Sequence, residues 1–581
     1  VTHLKVPAAI ALDPPVHALQ ARWSASLSME SLYLAFADWL VHLLRSPGKR
    51  FDLLQLGLAQ ARQLQAYACQ CALPGDGHGN AAPCAELSAN DRRFADPAWQ
   101  LWPFNVLQQC FLLQQRWWHA ATTDLHGVSA HHQQVMEFVT RQWLDVLSPG
   151  NFLFTNPVVL QHTQEEGGSN LVRGALNWMD DLLRTISGAA EPGSECFQVG
   201  RDVAATPGRV VLQNPLIELI QYTPSTGTVR PEPILIVPAW IMKYYVLDLS
   251  RENSLIRYLV AQGYTVFCLS WKNPNRSDAC LSMDDYLNLG VRDALAAVNG
   301  VLPKRRVHAV GYCLGGTLLS IAAAAMAREG DDRLKSITLL AAQTDFTEPG
   351  ELGLFVDESE ISLLEDQMGQ AGYLSASQMT GAFQMLRSYD LLWSRMVNDY
   401  LLGERRGMND LMAWNADATR MPATMHSQYL RHLYLNNDLA EGRYRVNGKP
   451  VELKDIAAAV FCVATETDHV APWHSVYKLH HLFAGEVTFL LTSGGHNAGI
   501  VSEPGHPGRR FRMRVRPRGA PTLAAETWLS QAERKDGSWW PAWVDWLNAH
   551  SGAPVAPPPM GLPGSHESEL PRAPGRYVLE K

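Results

Sequence analysis

The chain carries little charge for its length, and the balance is not basic. Of 581 residues, 18% are Asp, Glu, Lys or Arg, and the formal net charge is −8. A general nucleic-acid binder shows a basic excess, so that class is excluded. Cysteine is scarce and irregular. The nine are Cys69, Cys71, Cys84, Cys110, Cys196, Cys268, Cys280, Cys313 and Cys462. Odd in number and mostly in apolar contexts, they fit buried free thiols in a reducing cytoplasm better than a disulfide framework. Cys69, Cys71, His78 and Cys84 match no common zinc-ligand spacing, and no metal is expected. Residues 1–7 have no charged n-region or apolar h-region, so a signal peptide is not expected. Uninterrupted apolar runs of membrane length are also missing. The longest, 307–327, contains a Gly-rich turn and splits into a strand and a buried helix. What is present is a chain 46% hydrophobic, too long for one ordinary core, that predicts two or three globular domains.

Residues 1–200 show helical patterns rich in aromatics and Gln, at 32–40, 102–118, 135–147 and 170–187, and predict a helical N-terminal domain. Their aromatics fit that domain's own core better than a partner surface. Residues 73–80 read as a flexible connector. Beyond 200 the texture changes. Alternating runs at 209–213 and 217–222, separated by Asn214-Pro215, predict a hairpin. Short continuous apolar runs follow near 235, 266, 308, 338, 461 and 489, with helical stretches such as 254–262 and 283–298 between them. Buried strands alternating with helices predict a parallel sheet covered on both faces. The core falls into two parts, 201–344 and 450–550. Between them, 345–449 contains helical patterns without a buried strand and predicts a cap or lid. Residues 538–547 predict an amphipathic, Trp-heavy helix. The Pro-rich tail, 551–581, is expected to be disordered.

The chain is organised around Val310-Gly311-Tyr312-Cys313-Leu314-Gly315-Gly316. An apolar strand ends in Gly-x-Cys-x-Gly and passes directly into Leu318-Leu319-Ser320-Ile321 and a block of alanines. This is the nucleophile-elbow pattern of α/β-hydrolases with Cys in place of Ser. In that fold the acid and the His follow in order, each on a loop just past a strand. Here Asp468 follows the strand ending at Val463, and His496 follows the strand ending at Leu491 in the loop Ser493-Gly494-Gly495-His496. Cys313, Asp468 and His496 are therefore the candidate catalytic set. Glu466 and His469 are the nearby competitors. The oxyanion hole is expected from the backbone N–H groups of Leu314 and of Ile241, the latter in the loop after the first parallel strand.

Further stretches carry a family resemblance. They are Phe94-Ala95-Asp96-Pro97-Ala98-Trp99, Asn151-Phe152-Leu153-Phe154-Thr155-Asn156-Pro157 and Lys243-Tyr244-Tyr245-Val246-Leu247-Asp248-Leu249. Ser270-Trp271-Lys272-Asn273-Pro274, Asp468-His469-Val470-Ala471-Pro472-Trp473 and Gly537-Ser538-Trp539-Trp540-Pro541 continue the match. With the elbow, they resemble the poly(3-hydroxyalkanoate) synthases, most closely class I, which act without a second subunit. Met242 stands where those enzymes usually have Asn, Asn497 where an aliphatic residue is common, and the Arg-rich segment is longer.

The resemblance implies an acyltransferase that polymerises (R)-3-hydroxyacyl-CoA and releases CoA. It also implies a growing polyester chain as partner, a homodimer, and a cytoplasmic location at polyester granules. No cofactor is expected, because the CoA thioester is the substrate. Chemistry favours the same reading. A thiolate attacking a thioester yields a thioester, so the acyl group stays activated, and a Cys–His pair raises the thiolate fraction. Whether Asp468 orients His496 or acts on the 3-hydroxyl is open at this stage. Trp414, Tyr429 and His469 are candidate substrate contacts, with core packing the alternative for the aromatics and a structural role for His469. The alternate arginines of 509–518 suggest an edge strand or hairpin with one cationic face, which reads as a CoA-phosphate clamp or, better, as a solvated face blunting a sheet edge. Two other functions compete: a thioesterase or intracellular polyester depolymerase on the same fold, and a non-catalytic granule-coat protein.

Overall fold

Four short apolar runs, each too brief for a helix and flanked by turn residues, dictate the centre of the sheet. The computed structural model describes residues 16–17, 27–72, 82–87, 91, 93–386, 392–562 and 570–581. In it the strands are β1 (Gly208–Gln213), β2 (Ile217–Tyr222), β3 (Ile234–Val237), β4 (Val266–Trp271), β5 (Val307–Tyr312) and β6 (Leu334–Leu340). Two small ladders follow, β7 (Tyr373–Leu374) with β8 (Met421–Pro422), and β9 (Arg445–Val446) with β10 (Lys449–Pro450). The main sheet then resumes with β11 (Ala459–Thr465), β12 (Val487–Thr492), β13 (Arg510–Arg516) and β14 (Arg534–Asp536).

Its order is β1-β2-β4-β3-β5-β6-β11-β12-β13-β14. The neighbours from β4 to β12 pair in parallel, and the flanking strands on both sides pair antiparallel. Every residue of β3, β4, β5 and β12 is buried, as a sheet covered on both faces requires. The helix Leu314–Glu329 is buried from Leu314 to Met326, which accounts for an apolar run long enough to resemble a membrane span. Among the described residues no helix is long and apolar enough to cross a membrane.

The chain forms two compact units. The α/β unit contains Pro192–Thr380 and Met408–Lys581, and the helical unit contains Ser28–Glu191 with Gly381–Gly407. This corrects the expected boundaries, because the insertion 345–449 is divided. Its middle belongs to the helical unit for steric and electrostatic reasons. Gly174 admits the Tyr400 carbonyl so closely that an added Cβ would lie 1.8 Å from that oxygen. Arg405 also bridges Asp180 at 2.8 Å and Asp181 at 2.6 Å.

Among the described residues the helical unit contains the helices Met29–Arg45, Pro47–Ala72, Phe104–Thr122, Ala130–Val146, Pro157–Glu165 and Ser169–Ser187. Ser28 caps the first, its Oγ accepting the Ser31 N–H at 3.2 Å. Phe94 and Trp99 meet edge to face at 4.7 Å in a core with Phe111, Leu112, Leu113 and Leu144. The aromatics divide: Trp39, Trp99 and Phe111 are core, whereas Trp102, Trp143, Phe154 and Trp178 are exposed. The connector 73–80 and His78 lie outside the described residues.

Three further expectations change. All nine cysteines are free, but only Cys268, Cys313 and Cys462 are buried. The Arg-rich segment is not the sheet edge. β13 pairs with β12 on one side and β14 on the other, leaving β14 outermost. Its alternate guanidiniums face one way and find internal partners: Arg510 with Glu466, Arg512 with the Ala532 carbonyl, Arg514 with Gln531, and Arg516 with the Phe483 and Gly485 carbonyls. Those bonds leave the row poorly suited to a phosphate clamp.

The Pro-rich tail is ordered over 551–562 and 570–581. Buried polar side chains satisfy its backbone. Glu218 of β2 accepts the N–H groups of Arg576 and Tyr577 at 2.8 and 3.0 Å. Gln221 donates to the Pro559 carbonyl and accepts from the Gly561 N–H. Composition cannot report partners more than 300 residues away in sequence.

Candidate active site

β5 delivers Cys313 to the end of the sheet. Its N–H still bonds the Leu340 carbonyl of β6 at 2.9 Å, after which the chain turns sharply into the helix Leu314–Glu329. The turn forces Cys313 to φ +51° and ψ −121°, a strained conformation that costs about 1–3 kcal/mol. The two motif glycines permit it. A Cβ on Gly311 would lie 2.4 Å from the Gly316 Cα, and one on Gly315 would lie 2.1 Å from the Val237 carbonyl oxygen. The thiol is therefore set on an elbow pressed against the end of β3.

β11 and β12 are adjacent parallel strands, and their C-terminal loops bring Asp468 and His496 together. His496 Nδ1 lies 2.8 Å from Asp468 Oδ2. The same carboxylate accepts Thr465 Oγ1 at 3.0 Å and the backbone N–H groups of Val470 and Ala471 at 2.9 and 2.8 Å. With Nδ1 engaged, Nε2 is the nitrogen left for Cys313, whose sulfur lies close enough to act on the charge of the ring. Burial opposes the charge on His496, but the Asp468 carboxylate, then the Cys313 sulfur, outweigh it and hold its pKa well above the usual His range. Burial likewise opposes the Asp468 charge. His496, followed by the Ala471 and Val470 N–H groups, keeps its pKa below the usual carboxylate value.

The His496 loop is braced from behind. Trp539 and Trp540 donate their indole N–H groups to the Gly499 and Ile500 carbonyls, each at 3.0 Å, and Trp543 donates to Thr338 at 3.1 Å. The expected amphipathic helix is real (Trp540–Ala549), and its buried indoles hold the loop of the candidate base. Tyr312 donates to the Asn497 side chain, and its ring lies 5.8 Å from that of His496. The departure at Asn497 thus supplies a bond that an aliphatic side chain could not.

The two expected oxyanion donors are available. Leu314 begins the elbow helix, and Ile241 sits in the loop after β3. Neither N–H bonds another described residue. The loop is tied down by other atoms: Thr419 bonds the Trp240 and Ile241 carbonyls, and Trp414 Nε1 donates to the Lys243 carbonyl at 2.7 Å. Trp414 is thereby placed as a brace of this loop. His469 is exposed, and Glu466 is paired with Arg510.

Tyr429, buried, lies close enough to Cys313 for their charges to interact, and so does the half-buried Tyr434, which sequence reasoning missed. Their rings lie 5.5 Å apart, and Phe346 packs on Tyr434 at 4.8 Å. The only available signal for Tyr434 was its position five residues after Tyr429 in an aromatic helical run. Among the described residues no group of three or more His, Cys, Asp or Glu side chains could hold a metal ion.

Comparison with known proteins decides the family. Residues 90–259 match the model described as the N-terminus of poly-beta-hydroxybutyrate polymerase (PhaC). Residues 7–49 match a second N-terminal model of that polymerase, and residues 232–503 match the alpha/beta hydrolase fold. The chain is 41% identical over 508 residues to a poly(3-hydroxyalkanoate) polymerase of Methylorubrum extorquens, covering 86% of this chain and 82% of that one. It belongs to the poly(3-hydroxyalkanoate) polymerase family. A polymerase subunit from Rhizobium meliloti is 39% identical, over 85% of this chain and 80% of its own. Among solved structures, a Paleococcus ferrophilus monoacylglycerol lipase is similar at 14% identity, covering 58% of this chain and all of that one, with a TM-score of 0.34. For a member of the polymerase family the α/β-hydrolase fold is thus the scaffold, and the elbow cysteine is the point of departure from serine hydrolases.

Proposed function

We propose that the chain polymerises (R)-3-hydroxyacyl-CoA through a thioester on Cys313. The observation that carries this is the convergence of an elbow cysteine with a His496–Asp468 pair in a chain of this family. His496 Nε2 takes the thiol proton as Sγ attacks the thioester carbonyl. The oxyanion gathers on the N–H groups of Leu314 and Ile241, and the intermediate collapses to acyl-Cys313 and a CoA thiol that receives the proton back. The 3-hydroxyl of an incoming 3-hydroxyacyl-CoA then gives its proton to His496 and attacks the Cys313 thioester of the growing chain; the Cys313 sulfur leaves, takes the proton back through His496, and recaptures the lengthened chain from its CoA thioester with release of CoA. Asp468 is read as the residue that orients His496. Its carboxylate already accepts four hydrogen bonds, about its full capacity, so none is left for a substrate hydroxyl. The steps require no cofactor, because the CoA thioester supplies the activation.

The segment bearing Tyr429 and Tyr434 is the proposed wall of the acyl pocket and part of the lid that keeps water from the acyl-enzyme. Purified protein given 3-hydroxybutyryl-CoA should release CoA and turn turbid with polymer. CoA release accompanied only by soluble 3-hydroxybutyrate would instead establish a thioesterase.

The reading extends to a homodimer working at the granule surface in the cytoplasm. Supporting the surface is an apolar stripe on the helix Ser169–Ser187, where Val172, Leu176, Met179, Leu183 and Ile186 are exposed at three- and four-residue spacing. Co-sedimentation with polyester granules should fall several-fold in a Leu176→Asp, Leu183→Asp variant. Unchanged binding would remove the stripe from the proposal.

A further inference from the structure

The loop that presents the Ile241 N–H is tied to residues more than 330 positions away. Lys243, 3% exposed, directs its ammonium at two carbonyls of the C-terminal segment, Glu580 at 2.6 Å and Tyr577 at 3.4 Å. Its bonds are to neutral carbonyls, an expensive way to bury a cation, and a methionine of similar length would pack there with less desolvation.

The segment is itself anchored at several points. Glu580 Oε2 accepts the Asn273 N–H at 3.0 Å, Arg420 donates to the Lys581 carbonyl at 2.7 Å, and Lys581 pairs with Asp417 at 3.0 Å. Asp417 accepts the Tyr245 hydroxyl at 2.9 Å, two residues beyond Lys243. Arg576 and Tyr577 are held by Glu218, and the Tyr577 hydroxyl donates to the Asn214 carbonyl at 2.7 Å. Lys243 thus joins the oxyanion loop to a braced strap built from four regions of sequence.

We infer that Lys243 is the positioning residue of the oxyanion loop, fixing through the strap 576–581 the backbone that offers the Ile241 N–H to the substrate carbonyl. The inference rests on the polymerase reading of the site and adds a residue that touches no substrate.

A pH signature follows. Burial lowers the Lys243 pKa to about 8, with Asp417 and Glu580 opposing that effect and Lys581 and Arg420 reinforcing it. The ammonium is therefore held below that pH and discharged above it, where its pull on the two carbonyls weakens.

Lys243→Met and Lys243→Arg in the full chain test this. The Met variant should lose roughly 10- to 100-fold in kcat for CoA release with KM little changed, the size expected for a displaced oxyanion donor. The Arg variant should recover most of that loss. The wild-type fall in kcat above about pH 8 should be missing from Lys243→Arg, whose charge persists. Hydrogen exchange of 238–245 should be faster in Lys243→Met, a readout independent of turnover. If the wild type releases no CoA, the polymerase reading fails while hydrogen exchange still decides the strap. If Lys243→Met does not fold, Glu580→Ala, which removes the carboxylate anchoring the strap on the N–H of the buried Asn273, should show a loss in kcat in the same direction and faster exchange. Wild-type kcat and exchange in the folded variant would overturn the inference.

Discussion

Alanine at position 313 should lower CoA release from 3-hydroxybutyryl-CoA by at least about 10⁴-fold, because in the proposed mechanism Cys313 is the nucleophile of a coupled triad, and removing it costs nearly as much as removing the whole set. Thiol titration with a disulfide reagent measures the release, and a thermal melt shows that the fold persists. The site makes a second demand on the same position. Cys313 holds φ +51°, so the elbow stores strain that glycine does not feel. Cys313→Gly should therefore be as inactive as Cys313→Ala and yet more stable than it by about 1 kcal/mol. Serine should not rescue turnover. It would convert the thioester into an ester and lose the activation that the next transfer needs. An alanine variant that still released CoA at even a tenth of the wild-type rate would remove Cys313 from the mechanism.

The second large effect is structural. Gly315→Ala should destabilise the α/β unit by more than about 3 kcal/mol and yield mainly insoluble protein. The added Cβ would stand 2.1 Å from the Val237 oxygen and 2.5 Å from that of Pro238, both backbone atoms at the root of the oxyanion loop. No rotamer change relieves such a clash. β3 and the elbow helix must separate, and Ile241 moves with them. Gly369→Ala is the matched control. It lies in the helix Glu358–Ala371 with nothing within 4 Å of the new methyl, and should stabilise by about 0.5–1 kcal/mol through helix propensity alone. Chemical denaturation of the two variants separates the cases, and a soluble Gly315→Ala of wild-type stability would refute the close approach.

What could be read in the sequence was local. Each central strand announced itself as four or five mostly apolar residues between turn signals, and the elbow as Gly-x-Cys-x-Gly at a strand-to-helix junction. Asp468 and His496 were legible because each falls just past a buried strand, which is where this fold places ligand-facing loops. Long-range features were not legible. Lys243 meets Glu580, Arg405 meets Asp180 and Asp181, and Arg516 meets the Phe483 carbonyl, and no periodic pattern encodes such pairings. The arginines of β13 illustrate the difference: their alternation gave the strand correctly, whereas their charge suggested an edge and a ligand that internal hydrogen bonds replace. The tail failed for the same reason, since proline content says nothing of the buried Glu218 and Gln221 that receive it.

The pairing of β6 with β11 has an evolutionary consequence. The two strands are 118 residues apart in sequence yet lie in register side by side, Leu340 against Val463 and Ser336 against Ala459. The chain leaves the sheet after one strand and re-enters it at the strand's direct neighbour. The elbow on β5 and the loops after β11 and β12 keep their register through strand pairing, whereas Trp414, Asp417, Thr419 and Arg420 of that stretch tie the loop after β3 and the C-terminal strap. Under the proposed function, Cys313, Asp468 and His496 stand on paired strands while Tyr429 and Tyr434 belong to the stretch between them, so substitutions at the two tyrosines can change the acyl group accepted without displacing the triad.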